Sequence, residues 1–129
     1  MKRHPQLQDL SREHHGALKL ARAARQAAES ADAGNVAALA RCAVHLFAAE
    51  LDPHFRVEEQ GILVSLAQAG EYALVQRTLN EHEELRKLAS ALSAADAGTL
   101  LRFADLLASH VRFEERELFE AAQDNMAAT

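Results

Sequence analysis

Apolar residues recur along this chain at intervals of three and four, the spacing that lines one face of an α-helix. In the first stretch Leu7, Leu10, His14, Ala17, Leu18, Ala21, Ala24 and Ala28 share such a face. Pro5 suits a first helical turn and Ser30-Ala-Asp-Ala-Gly34 suits an end, with Gly34 marking the turn. A second pattern runs from about Asn35 to Gln68 through Leu39, Ala43, Phe47, Leu51, His54, Glu58 and Ile62. Pro53 interrupts it, and because proline lacks a backbone donor and crowds the preceding turn, a kink or bulge is expected beside His54. A third follows Gly70, carries Leu79, His82, Leu85, Ala89 and Leu92, and ends near Ser93 to Gly98; the fourth spans about Thr99 to Asp124. Residues that favour strands are few and scattered. Four long amphipathic segments joined by short turns predict an all-α, up-down-up-down antiparallel four-helix bundle.

The second and fourth segments superpose without gaps at an offset of 56 residues. Phe47, Leu51, His54, Arg56, Glu58, Glu59 and Ile62 match Phe103, Leu107, His110, Arg112, Glu114, Glu115 and Leu118. An offset of 68 aligns Glu13-His14 with Glu81-His82, Ala17 with Leu85 and Ala24 with Leu92. The chain therefore reads as two copies of one helical hairpin.

Residues four apart on a helix lie nearly above one another, so His54 and Glu58 share a face, as do His110 and Glu114. Both pairs fall on the apolar stripe, after Phe47 and Leu51 or Phe103 and Leu107. A lone core histidine is usually a hydrogen-bonded packing residue. Four core-facing histidines, one per helix, with two interior glutamates are costly as packing alone. Imidazole nitrogen and carboxylate oxygen are good ligands for first-row transition metals, and six of them suggest two ions. In the first helix His14 continues the stripe of Leu10, Leu18 and Ala21, whereas His15 points toward Ser11 and Arg22. His45 and His4 read as solvated surface residues. Glu59 and Glu115 are expected to cap the site edge or pair with arginines, and Glu50, Glu13 and Glu81 to stand behind the ligands.

The 129 residues, 49% apolar and 26% charged, fit one domain over 1–129. A net charge of −5 lacks the basic excess that nucleic acids or anionic membranes select. The start, Met1-Lys-Arg-His-Pro-Gln, runs into Gln8, Asp9, Ser11 and Arg12 rather than the apolar run of an export signal, so a cytoplasmic location is expected. The single Cys42 suits that compartment, reads as a small core residue and is given no role.

Glu13-His14, His54-Phe55-Arg-Val-Glu58-Glu59, Glu81-His82 and His110-Val-Arg-Phe-Glu114-Glu115 together resemble the hemerythrin family, specifically its bacterial hemerythrin-like (HHE cation-binding) domains. The resemblance spans nearly the whole chain. It implies a non-haem di-iron centre with His14, His54, His82 and His110 as terminal ligands and Glu58 and Glu114 as bridges. Oxygen-carrying members have a further third-helix histidine where this chain has Arg86, and an aspartate five residues after the fourth-helix histidine where it has Glu114 at four. Glu120 replaces the proline usual after the fourth-helix Glu-x-Leu-Phe. The resemblance implies a protein that binds or senses dioxygen, nitric oxide, peroxide or iron status. The alternatives are an enzyme consuming peroxide at the same centre, or a structural bundle holding adventitious zinc. A narrow bundle interior is expected to exclude larger molecules.

Overall fold

A computed structural model describes residues 3–94 and 96–127; Met1 and Lys2 of the basic start and Ala95 of the last turn lie outside them. Among the described residues all regular structure is helical, and none of the helices is long and apolar enough to cross a membrane. Helix α1 spans Pro5–Glu29, and the second rod comprises α2 (Ala33–Leu46), α3 (Asp52–Gln60) and α4 (Ile62–Gln68). Helix α5 (Tyr72–Ala91) forms the third rod, and α6 (Ala97–Phe113) with α7 (Phe119–Ala127) forms the fourth. The rods make an up-down-up-down four-helix bundle. Their antiparallel order shows in the side-chain pairs. From Arg3, just before α1, through Ser11 to Arg25, the first rod meets Glu120, Glu115 and Asp105 in descending order.

The caps follow from local chemistry. Asp32 and Asp96 accept hydrogen bonds from the backbone N–H groups of Asn35 and Thr99, satisfying free donors at the starts of α2 and α6. His4, expected in a solvated tail, instead caps α1: its Nδ1 accepts from the Gln6 N–H, and Pro5 behind it needs no partner. The first turn closes at Ala31, which takes a left-handed φ of 56°, while Gly34 lies inside α2. Gly70 takes the φ of 86° that ends α4.

The second and fourth rods leave α geometry where they matter most. A π turn over Phe47–Leu51, closed by Asp52 N–H to the Phe47 carbonyl, precedes Pro53 and absorbs the donor that proline lacks. A break at Gly61 follows Glu58, and a second π turn over Glu114–Leu118 begins at Glu114. Positions 58 and 114 correspond under the 56-residue offset, so both rods distort directly after their His-x3-Glu pair.

Where one core was expected, the buried apolar residues form two clusters. The larger includes Ala24, Ala43, Leu85, Leu100 and Phe103; the smaller includes Leu7, Leu63, Leu66, Leu118 and Phe119. Leu79 is exposed and Thr78 is buried in its place, its hydroxyl bonded to the Leu74 carbonyl. Cys42 is exposed, because Ala40 and Ala43 carry the buried face of α2.

Candidate metal centre

His14, His54, Glu58, His82, His110 and Glu114 are all buried, and they converge. Glu58 Oε2 lies 3.3 Å from His54 Nε2, and its Oε1 lies 3.1 Å from His82 Nε2. Glu114 Oε1 lies 2.9 Å from His14 Nε2 and 3.9 Å from His54 Nε2; its Oε2 lies 3.1 Å from His110 Nε2 and 3.5 Å from His82 Nε2. Each carboxylate thus turns one oxygen to the His14/His54 pair and the other to the His82/His110 pair. Two donor groups result, His14-His54-Glu58-Glu114 and Glu58-His82-His110-Glu114, each with ligand atoms within 4.8 Å of one another. They share both glutamates. His15 is exposed and faces away.

Most of these close approaches are misaligned for hydrogen bonds. His54 Nε2, His82 Nε2, His110 Nε2, both Glu58 oxygens and Glu114 Oε2 are buried without a hydrogen-bond partner. Such orphans are rare and costly in a protein interior. Two donors about 2.1 Å from one ion, at right angles around it, stand about 3 Å apart, and the carboxylate-to-imidazole approaches here run from 2.9 to 3.9 Å. The donor set therefore fits metal and gives the chain metal-binding capacity.

The opposite ring nitrogens are held differently. His14 Nδ1 bonds Glu115, His54 Nδ1 bonds Glu13, His82 Nδ1 bonds Glu59 and His110 Nδ1 bonds Glu81, each at 2.7 Å. Each histidine is thereby gripped by the rod preceding its own, the first rod by the fourth. A carboxylate on Nδ1 keeps the proton there and turns Nε2 inward as a basic ligand. Glu13 and Glu81 take the supporting place expected of them. Glu59 and Glu115 do more than cap the edge, and Glu50 is exposed with no hydrogen bond or ion pair to the cluster. The signal for Glu59 and Glu115 was the doubled Glu-Glu, repeated at the 56-residue offset.

Without metal, the cluster stores protons. Burial alone would lower the histidines, but the surrounding carboxylates overcome it: Glu114 and Glu58 carry His54 up to about 11, and chiefly Glu114 carries His110 to about 9. His14 and His82 are raised by the same balance. Burial and then the charge of Glu114 push Glu58 up, whereas Glu114 itself, against its burial, is held well down by His110 and the other imidazoles.

The sequence profile of the hemerythrin HHE cation-binding domain matches residues 6–122. The chain belongs to that family. No curated protein and no solved structure matches it. Within this hemerythrin domain, Arg86 has a task of its own. Its guanidinium donates to Asp52 at 2.7 Å and to both oxygens of Glu59 at 2.9 and 3.2 Å, fixing the carboxylate that holds His82. Against partial burial, Arg86 and then His82 keep Glu59 below the usual carboxylate range. Phe55, the residue after His54, stacks on His82 with centroids 4.0 Å apart and locks that ring from the other side.

The domain interior is roomier than expected. A cavity of about 610 Å³ lies between α1 and the second rod, with His14, His54 and His110 in its lining. That volume suits organic molecules rather than diatomics alone.

Proposed function

We propose that His14, His54, Glu58, His82, His110 and Glu114 hold two non-haem iron ions, and that the protein binds or senses a small ligand there, such as dioxygen, nitric oxide or peroxide. The observation that carries this reading is the sharing of Glu58 and Glu114 between two donor groups, with one oxygen of each turned to each histidine pair. When bound, such an ion pair supplies open coordination positions and reversible changes of oxidation state. The chain's own part is to present Nε2 of four histidines, to keep a proton on each Nδ1 through Glu13, Glu59, Glu81 and Glu115, and to screen the centre between two apolar clusters. Protein purified without a metal-affinity tag from iron-grown cells is expected to contain about two iron ions per chain. Glu58→Ala is expected to lower occupancy of both positions. Retention of one ion or fewer by the parent chain would overturn the dinuclear reading.

A second reading is consumption of peroxide at the same centre, which the cavity would admit from solvent as far as His54. Sustained peroxide turnover by the iron-loaded chain would select it.

A further inference from the structure

Apart from the break at Gly61 set against the π turn over Glu114–Leu118, the two halves of the bundle depart from their repeat where the cavity lies. The π turn over Phe47–Leu51 has no counterpart at 103–107, which is continuous α-helix within α6. Ala49, Glu50 and Leu51 of that turn line the cavity, and α1 faces them across it. Its walls include Leu10, Ala17, Leu46, Leu51, Leu107 and Val111. Exposed residues Asp9, Glu13, Gly16, Ala49 and Glu50 also line it, so it opens to solvent between α1 and the second rod.

Charge and backbone add two independent constraints. Three carboxylates, Asp9, Glu13 and Glu50, line the mouth, and no lysine or arginine is in the lining itself. Asp9 also meets the exposed Arg12 at 3.1 Å and Glu13 holds His54 Nδ1, which leaves Glu50 as the carboxylate with no ion pair among the described residues. Gly16 sits in the middle of α1, where glycine weakens a helix. A Cβ there would meet nothing within 4 Å, so packing gives no reason for glycine. A larger side chain would occupy the mouth. At the inner end lies His54, whose Nε2 turns to Glu58 and Glu114, so the cavity adjoins the metal centre.

We propose that this cavity is a binding site for an organic amine with an apolar aliphatic or aryl body, the body lying on the Leu and Val walls and the ammonium at the Asp9/Glu13/Glu50 mouth. The site extends beyond any ligand held on the metal ions themselves, and its occupancy does not require turnover. A volume of about 610 Å³ accommodates such a molecule in the range usual for small-ligand sites. The acidic mouth favours a cation over a neutral molecule and repels an anion, more strongly at low salt.

The test uses phenylbutylamine, phenylbutanol and phenylbutyrate, which share a body and differ in head-group charge. Calorimetric titration into the full chain, as purified and again after metal removal, is expected to rank amine above alcohol above carboxylate. The amine is expected to bind about tenfold more tightly than the carboxylate at low salt. Gly16→Leu, which raises helix propensity and fills the mouth, is expected to weaken amine binding about tenfold, as is Ala49→Phe from the facing wall. Asp9→Asn combined with Glu50→Gln is expected to bring the amine level with the alcohol. Carboxylate binding as tight as the amine would overturn the charge assignment. Affinities that ignore both Gly16→Leu and Ala49→Phe, or no binding by any probe, would overturn the cavity assignment. None of these outcomes depends on iron content, so they are separable from failure of the di-iron reading.

Discussion

Glu81 offers a direct test of how far the outer carboxylates determine metal affinity. Its Oε1 accepts the His110 Nδ1 hydrogen at 2.7 Å, and its Oε2 meets Arg77 at 3.0 Å. His110 is fully buried but Glu81 beside it is 18% exposed, so Glu81→Ala replaces the charged acceptor of the Nδ1 hydrogen with at best a water. Loss of a carboxylate behind a ligating histidine costs about 10- to 100-fold in metal affinity, equivalent to about 1.4–2.8 kcal/mol. Glu81→Gln keeps an acceptor at the same reach but loses the charge, so about half that free energy is expected to go. The Arg77 contact adds little, because that guanidinium is half exposed and also lies over the Phe113 ring at 3.9 Å. The assay is competition with a chelator of known affinity, with the melting temperature of each metal-free variant as a check on folding. Glu50→Ala is the control: Glu50 is exposed and has no hydrogen bond or ion pair to the cluster, so affinity is expected to stay within about twofold. Unchanged affinity in Glu81→Ala, or an equal loss in Glu50→Ala, would refute the reasoning.

His14→Ala is expected to lower metal content while His15→Ala leaves it unchanged, measured by elemental analysis, since only His14 is turned inward. Metal removal is expected to leave a cooperative melt about 10 °C or more lower, because binding at a thousandfold excess over Kd adds about 4 kcal/mol; an equal melting temperature would mean the cluster gains nothing from metal. In the metal-free protein the histidines are raised above their usual 6.5, so their contribution is full below that pH and is lost as pH rises through about 9 for His110 and about 11 for His54. Glu59, Glu81 and Glu115 are lowered, so theirs is lost as pH falls below about 4.5. Metal-free melting temperature is therefore expected to peak between these limits and to fall toward pH 10; a rise over that interval would reverse the sign. On the proposed di-iron reading, four histidines and two bridging carboxylates would supply about eight of roughly twelve bonds for two six-coordinate ions, so azide added to oxidised iron-loaded protein is expected to change its absorption spectrum. No change would indicate a closed centre.

The inward stripe of each rod was legible because a helix repeats its faces regularly, and His14 could be separated from His15 by angle alone. Glu13 and Glu81 were legible as supports, but which carboxylate serves which Nδ1 was not, since Glu115 and His14, for example, are brought together only by packing of the first rod against the fourth. The π turn at Phe47–Leu51 announced itself through Pro53, but that at Glu114–Leu118 carries neither proline nor glycine. There the distortion follows a fully buried glutamate, and nothing in local propensity records burial. The cavity was equally hidden. A sequence pattern shows which faces turn inward but not how closely two rods approach.

The closed circuit of imidazole and carboxylate grips has a consequence for the ancestry and engineering of the chain. His54–Glu13 and His110–Glu81 each lie within one hairpin, whereas His14–Glu115 and His82–Glu59 each join different hairpins. Either hairpin alone is a half-centre with one histidine left ungripped and one carboxylate left unemployed. Two identical hairpins related by a twofold axis would repair each other reciprocally, as in an isologous dimer. A circuit also has no first member, so a circular permutant opened at Gly70 and joined from the end of α7 to the start of α1 keeps every grip in place.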